Sequence, residues 1–128
     1  MPLVRIDLPI GKLPEYKKAI ADGIHQAMID AIQIPPGDRF QIISEHKSED
    51  LIVDPNYLEI LRSPDTILIQ ITLGPGRHPI QKRNLFASIA KNLQATPGVS
   101  PADIVINLVE TAWENWSFGN GLAQYMDR

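Results

Sequence analysis

The chain has 128 residues and a mass of 14.3 kDa, which is most simply one compact domain that can bury a real hydrophobic core. A net charge of −3 and a pI near 5.5, without any basic cluster with interleaved aromatic residues, argue against a nucleic-acid partner. There is no cysteine, which excludes disulfides, thiolate metal ligands and cysteine nucleophiles. No long apolar run marks a signal peptide or a membrane span, so the cytoplasm is the expected compartment.

The first third of the chain predicts a strand, a helix and a second strand. Apolar and polar residues alternate over residues 4–10, which is typical of a half-buried strand. Between Leu13 and Gln33 the apolar residues recur at spacings of three and four, which predicts an amphipathic helix. The segment IPPG ends this helix, because a residue before proline is disfavoured in the helical conformation. RFQIIS then predicts the second strand.

The same order of elements recurs 65 residues later. TILIQITL alternates like the first strand, RHPIQKRNLFASIAKNL is helical, and DIVINLVE reads as a buried strand. Polar and proline identities keep the same offset, in the pairs Pro14 and Pro79, Lys17 and Lys82, Asp38 and Asp103, and Glu45 and Glu110. The sequence therefore predicts two βαβ units, about 2–45 and 67–110, in a single domain of residues 1–128 that ends in a C-terminal hairpin over 111–128.

Two such units predict an α/β fold (α+β in some schemes), in which a four-stranded sheet carries two helices on one face. The strands within each unit should run parallel with right-handed crossovers. The other face has no helix to cover it, so we expect a symmetric oligomer. Residues 44–66 between the units are polar and predict a surface excursion, in which LIV forms at most a short edge strand.

Pro2 is the first candidate catalytic residue. A small second residue permits removal of Met1, and a terminal proline is a secondary amine that can act as an acid or a base. In the repeat register Pro2 corresponds to Ile67, which lies inside the chain and has no free amine. Each chain therefore offers at most one such amine.

Two charged positions lie where the predicted elements meet. Arg77 follows a Gly-Pro-Gly turn before the second helix, where its guanidinium either binds a carboxylate or is simply solvated, as expected for its counterpart Lys12. Asp38 opens the second strand beside Arg39, and it either sets the protonation of the amine or caps a turn, as its counterpart Asp103 is expected to do. The residues alone favour neither role for Asp38.

The segment WENWSFGNG concentrates aromatic residues in a chain with only two Trp and three Phe. Trp113, Trp116 and Phe118 either wall an active site or fill the core or a subunit contact. The three histidines are dispersed along the sequence and do not form a metal-ligand pattern, and GNG and GPG lack the spacing of a phosphate-binding loop.

These residues together resemble the tautomerase superfamily, whose small members are the 4-oxalocrotonate tautomerases. The resemblance rests on the Met-Pro start, the two βαβ units, GR-x-x-x-Q-K and WSFG-x-G. DRFQIISEH, VSPADIVINLVE and NWSFGNGLAQY look most like the branch of the malonate semialdehyde decarboxylases. The resemblance implies a tautomerase (MIF-like) fold, a homotrimer and no cofactor or metal. It also implies a catalytic Pro2 assisted by Asp38 in the decarboxylase branch, a substrate-binding Arg77, and an aromatic wall of Trp116 and Phe118. We add Arg39, beside Asp38, as a supporting substrate-binding residue.

One departure from the decarboxylase branch bears on the reaction. The characterised decarboxylases carry Arg-Pro-Arg where this chain has Pro75, Gly76 and Arg77, so a single arginine remains. We therefore expect a cofactor-independent keto–enol tautomerase of small enol or 2-oxo carboxylates, with Pro2 as proton shuttle. The alternatives are a malonate semialdehyde decarboxylase or hydratase that uses protonated Pro2 and Asp38, and a non-catalytic oligomeric binding protein.

Overall fold

A computed structural model describes residues 2–126 and confirms the tandem βαβ architecture. The elements are β1 (Leu3–Pro9), α1 (Pro14–Ile32), β2 (Phe40–His46), β3 (Ile67–Leu73), α2 (Pro79–Ala95) and β4 (Ile104–Glu110). The sheet has the order β2-β1-β3-β4; β1 runs parallel to β2 and β3 parallel to β4, whereas β1 and β3 are antiparallel. The two units therefore meet edge to edge with opposite strand directions.

Proline and local hydrogen bonds fix the starts of both helices. Each helix has proline at its first position, where the missing N–H costs no intrahelical hydrogen bond. At α2 the Ile80 N–H donates to His78 Nδ1 at 3.1 Å, and the His78 N–H donates to Gln81 Oε1 at 3.0 Å. This reciprocal cap satisfies helix donors that would otherwise lack partners, and it fixes the path of the chain just after Arg77.

The core lies between the two helices and the sheet. Its fully buried side chains come from β1, β3 and both helices: Ile6, Leu8, Ile20, Ile24, Met28, Ile67, Ile69, Ile71, Leu73, Leu85, Ile89 and Leu93. The helices approach closely at Gly23, whose carbonyl accepts from Asn92 Nδ2 at 3.0 Å and where an added Cβ would lie 2.8 Å from Leu93 Cδ2. Each such buried side chain contributes about 1.5–3 kcal/mol, so this layer stabilises the whole domain.

Identical ion pairs tie each helix to the end of the following strand. Lys17 of α1 pairs with Glu45 of β2, and Lys82 of α2 pairs with Glu110 of β4, with Nζ and Oε1 3.2 Å apart in the second pair. Both members of each pair are offset by 65 residues from their counterparts. The repeat read from the sequence is thus a repeat of contacts as well as of elements.

Neither of the two α-helices described within residues 2–126 covers the second face of the sheet. Phe40, Ile42 and Val109 alternate onto this face and keep 45%, 39% and 39% of their surface exposed. β4 was predicted to be buried, but it is only partly buried because it lies at the sheet edge and is covered on one face alone. No helix within residues 2–126 has the length and apolar character needed to cross a bilayer.

The prediction of a C-terminal hairpin is wrong for the described part of the segment. Residues 111–126 form a 3₁₀ turn at Trp113–Asn115 followed by irregular turns, and residues 127–128 lie outside the described residues. Three consecutive residues, Gly119, Asn120 and Gly121, have positive φ angles, which an extended strand cannot adopt. The Gln124 side chain replaces a strand ladder, since it accepts from the Phe118 N–H and donates to the Gly119 carbonyl. The LIV segment before residue 54 also forms no strand.

Asp103 joins the start of β4 to the segment that leads into β3. Its carboxylate accepts hydrogen bonds from the Ser63 N–H at 2.7 Å, from Ser63 Oγ at 2.6 Å and from Thr66 Oγ1 at 3.1 Å. Burial alone would raise the pKa of Asp103, but the hydrogen bonds from Ser63 and Thr66 outweigh it and hold that pKa below its usual value. The acid in the second unit is therefore structural.

We predict that Asp103→Asn lowers the free energy of unfolding by roughly 1–3 kcal/mol at pH 7, because an amide cannot accept from every donor that faces it. The lowered pKa makes this contribution complete above about pH 4 and progressively lost below it, so the difference from wild type should shrink in acid. Urea unfolding at pH 7 and pH 3 measures both effects. Asp50→Asn, on an exposed turn, is the control, and equal stability of the two variants would contradict the prediction.

Candidate active site

The strand register gathers the predicted site residues at one end of the sheet. Leu3 pairs with Phe40 of β2 and with Thr72 of β3, so one step outward lies Pro2 beside the start of β2 and the end of β3. Because β4 is parallel to β3, it also ends here. Pro2 is buried in this position. We call this end, with residues 2, 38–40, 73–77 and 110–118, the Pro2 end of the sheet.

Arg77 lies in the loop that leaves the Pro2 end toward α2. Its Nη1 makes one long hydrogen bond, 3.5 Å, to the Gly74 carbonyl. Burial lowers the pKa of Arg77, and the charge of nearby Glu110 opposes that shift. Within residues 2–126 no carboxylate forms an ion pair with this guanidinium, so most of its five N–H donors remain available to a ligand.

The two charged residues before β2 are placed differently. Asp38 is partly buried, and its N–H donates to the Pro35 carbonyl at 3.0 Å in the turn that leads into β2. The Arg39 side chain lies against α1, where Nη2 donates to Asp22 Oδ1 at 2.7 Å and Nε donates to Gln41 Oε1 at 2.8 Å. The structure therefore brings Asp38 to the Pro2 end, while the guanidinium of Arg39 is directed to the helix side of the sheet.

The aromatic residues form one continuous group beside Leu3. Trp116 stacks on Phe118, with ring centres 5.3 Å apart and planes 3° from parallel. Phe118 also contacts Phe40 at 5.6 Å and Tyr125 at 5.1 Å. A cavity of about 350 Å³ opens here, lined by Leu3, Phe40 and residues 116–119. Trp116 and Phe118 thus lie beside Leu3, the residue that follows Pro2, and neither Pro2 nor Arg77 is among the lining residues of this cavity.

Gly74 and Trp113 close the site from the side of β3 and β4. A Cβ at Gly74 would lie 2.5 Å from Cη2 of Trp113, so only glycine lets the indole lie against this part of the backbone. The ring of Trp113 in turn meets the ring of Tyr125 edge to face, with the ring centres 5.3 Å apart. Sequence reasoning named neither Gly74 nor Phe40; Phe40 carried a usable signal, since it is one of three phenylalanines and directly follows Asp38 and Arg39.

In the first unit, the cation that corresponds to Arg77 already has a carboxylate partner within the chain. Lys12, the counterpart of Arg77, donates to Asp65 Oδ1 at 2.7 Å and lies over the Tyr16 ring. The hydrogen bond to Asp65 raises the pKa of Lys12, against the opposing effect of burial. A cavity of about 450 Å³ lies beside it, lined by Gly11–Leu13, Glu15, Tyr16, Ala19, Thr96 and Pro97, at the end of the sheet opposite Pro2. Here the cation is already neutralised by the chain itself.

The described residues offer no group of three or more His, Asp or Glu side chains that could hold a metal ion. The charged side chains that border Pro2 at this end of the sheet include those of Arg77, Asp38 and Glu110, and the aromatic group lies beside them.

Two tandem βαβ units that share a four-stranded mixed sheet define the class of tautomerase-like folds. Two family models, both described as tautomerase enzyme, match residues 38–119 and residues 2–60. The chain therefore belongs to the tautomerase family of enzymes, which confirms the resemblance seen in its sequence.

Relatives and solved structures agree with this membership. The probable tautomerase YusQ of Bacillus subtilis is 37% identical over 99% of this chain and 100% of its own length, and the probable tautomerase YrdN of the same organism is 29% identical over 98% of this chain and 97% of its own. The structure of FG41 malonate semialdehyde decarboxylase inhibited by 3-bromopropiolate is 39% identical, with a TM-score of 0.92 over 98% of this chain and 95% of that one. A symmetric trimer of fused 4-OT, at 22% identity and a TM-score of 0.80 over 98% and 99% of the two chains, shows the same fold.

We predict that Gly74→Ala displaces the Trp113 ring and lowers the free energy of unfolding by about 1–3 kcal/mol, because the added methyl overlaps the indole. Urea unfolding followed by tryptophan fluorescence measures the loss and the altered ring environment together. Gly37→Ala is the matched control, since its Cβ meets nothing within 4 Å. If the two variants proved equally stable, the close approach of Trp113 to Gly74 would be refuted.

Proposed function

We propose that the protein is a cofactor-independent keto–enol tautomerase of small enol or 2-oxo carboxylates, and that Pro2, freed by removal of Met1, is its proton shuttle. The observation that carries this proposal is the position of Pro2 at the same end of the sheet as Arg77, whose guanidinium has no carboxylate partner within residues 2–126. An anionic substrate supplies that partner.

The reaction needs one group that both accepts and donates a proton. The neutral Pro2 nitrogen takes the enol O–H proton, the C–O bond becomes a carbonyl, and the electron pair of the C=C bond takes the proton back from nitrogen at carbon. Arg77 binds the substrate carboxylate with two parallel N–H donors, which fixes the distance of the enol from the amine. The proton returns to substrate, so no net acid, base or cofactor is consumed.

The surroundings of Pro2 bear on which form of its amine prevails. Burial and the positive charge of Arg77 favour the neutral amine, which is the form a tautomerase uses. The Trp116 and Phe118 rings support the same reading, because an aromatic wall keeps water from solvating an ammonium ion. The carboxylate of Asp38 acts in the opposite direction and favours the ammonium form.

A second candidate function is decarboxylation or hydration of malonate semialdehyde. It is supported by the 39% and 31% identity, each with a TM-score of 0.92, to two malonate semialdehyde decarboxylase structures. In this reaction the C–C bond to the carboxylate breaks, CO₂ leaves, and protonated Pro2 supplies a proton to the enolate carbon. The repeat supports a role for Asp38 close to Pro2. Its counterpart Asp103 binds the segment just before Ile67, and Ile67 is itself the counterpart of Pro2.

We further propose that three copies assemble with the helix-free face of the sheet inward. Support comes from the exposed Phe40, Ile42 and Val109 on that face and from the symmetric trimer of a protein with the same fold. Sedimentation should give three times the 14.3 kDa chain mass. A species of one chain's mass at micromolar concentration would contradict this assembly.

We predict that Pro2→Ala lowers kcat for ketonisation of phenylenolpyruvate by roughly 100- to 10,000-fold, because the variant terminus lacks the secondary amine. Alanine still permits removal of Met1, and intact mass spectrometry shows whether Met1 has been removed from the variant. A loss of activity in the processed variant can then be assigned to replacement of the secondary amine by a primary amine. Pro9→Ala, at the other end of β1, is the control and should keep its rate. Undiminished turnover by Pro2→Ala would overturn the mechanism, and Met1 retained in the wild-type protein would favour the non-catalytic binding protein.

The two reactions are separated by substrate and by Asp38. Wild-type protein that ketonises the enol without releasing CO₂ from malonate semialdehyde supports the tautomerase, whereas efficient CO₂ release that is lost in Asp38→Asn supports the decarboxylase. Arg77→Met should raise the KM for either carboxylate, since both reactions need the same anchor.

A further inference from the structure

A second carboxylate lies close to the anchor arginine. Glu110, at the end of β4, is the direct strand partner of Leu73, and Leu73 precedes the Gly74 carbonyl on which the Arg77 guanidinium rests. Neighbouring strands lie about 4.8 Å apart, so Glu110 lies beside the start of the loop that carries Arg77. Its charge is close enough to oppose the effect of burial on the pKa of Arg77.

Glu110 nevertheless pairs with another cation. Its Oε1 lies 3.2 Å from Nζ of Lys82, on the second turn of α2, and both side chains are only partly exposed. No ion pair joins Glu110 to Arg77 in the described structure. The pairing of Glu110 with Lys82 and not with Arg77 requires an explanation. A guanidinium can bind a carboxylate with two donors and usually makes a stronger ion pair than an ammonium group does.

The first unit shows what happens when a carboxylate does reach the corresponding cation. Lys12, the counterpart of Arg77, is held by Asp65 at 2.7 Å, and its charge is thereby removed from any incoming anion. The counterpart of the Lys82–Glu110 pair is also present there, as Lys17 with Glu45. The same helix-to-strand pair thus exists twice, but only in the second unit does it stand beside an unneutralised cation.

We propose that Lys82 is a positioning residue that holds Glu110 away from Arg77 and so keeps the guanidinium open for the carboxylate of the substrate. The inference rests on the proposed role of Arg77 as anchor, and it adds Lys82 and Glu110 as the pair that sets its affinity. Without the ammonium group, Glu110 turns to Arg77 and competes with substrate as an internal carboxylate. The defect lies in binding, because the amine that moves the proton is untouched.

The test measures carboxylate affinity in four variants. The probe is phenylpyruvate, whose dissociation constant follows from quenching of tryptophan fluorescence, alongside KM and kcat for phenylenolpyruvate. Lys82→Met should weaken binding and raise KM by about fivefold or more with kcat within about twofold of wild type, since an internal carboxylate competes for the same donors. The double variant Lys82→Met with Glu110→Gln should recover both values, because the competitor has lost its charge.

Lys17→Met is the matched control, because it removes the equivalent helix-to-strand pair far from Arg77 and should leave binding unchanged. If Lys82→Met weakened binding only because it impaired folding, Lys17→Met and the double variant would bind phenylpyruvate weakly as well. Recovery of binding in the double variant therefore indicates competition by Glu110 and not a folding defect. The proposal is overturned if Lys82→Met binds phenylpyruvate as wild type does, or if the double variant is not rescued.

Arg77→Met separates this inference from the proposed function. If Arg77→Met binds phenylpyruvate weakly while Lys82→Met binds it as wild type does, the positioning role of Lys82 is refuted and the substrate-binding role of Arg77 is retained. Unaltered binding in Arg77→Met, or wild-type protein without saturable binding, removes both the anchor and the positioning role.

Discussion

The antiparallel pairing of β1 with β3 is the constraint on which the candidate site depends. Within each unit the strands are parallel, so a parallel junction would have put Pro2 beside the start of β3 and far from Arg77. The antiparallel junction instead places Pro2 at the end of β3, where the loop to α2 begins. The aromatic group, the loop arginine and the buried proline therefore lie at the same end of the sheet because of one register, and any slip of that ladder would change which strand ends meet there.

The two units have the same order of elements but differ in the ion pairing of the cation in the loop before each helix. Both carry a lysine on the second helical turn that pairs with a glutamate at the end of the following strand. In the first unit the loop cation is neutralised by Asp65, and in the second it is left open at a cost in desolvation that burial imposes on Arg77. A partly buried cation without an ion-pair partner among the described residues is unfavourable for folding alone, and the anion-binding role proposed for Arg77 would offset this cost.

How far the sequence could predict this structure depended on the range of the interactions involved. Strand alternation, helical periodicity and the prolines before α1 and α2 are local, and they gave these elements nearly at their observed bounds. The offset of 65 residues also matched Lys17 with Lys82 and Glu45 with Glu110 as counterparts. It did not predict that each lysine pairs with the glutamate of its own unit, because that contact depends on how the helix lies on the sheet. The path after β4 could not be predicted, because three positive φ angles and the Gln124 side chain decide it. Nor could the capture of Arg39 by Asp22, which requires knowing how β2 lies on α1.

The closed Lys12 position has a consequence for stoichiometry. A duplicated βαβ unit begins with two equivalent ends, and a chain that kept both open would take up two anions in opposite orientations. In this chain Asp65 neutralises the cation at one end and Ile67 occupies the position that corresponds to Pro2, so the proposed reaction is confined to the other end of the protomer. A carboxylate reagent that alkylates the proline would accordingly titrate one equivalent per polypeptide, however many polypeptides assemble.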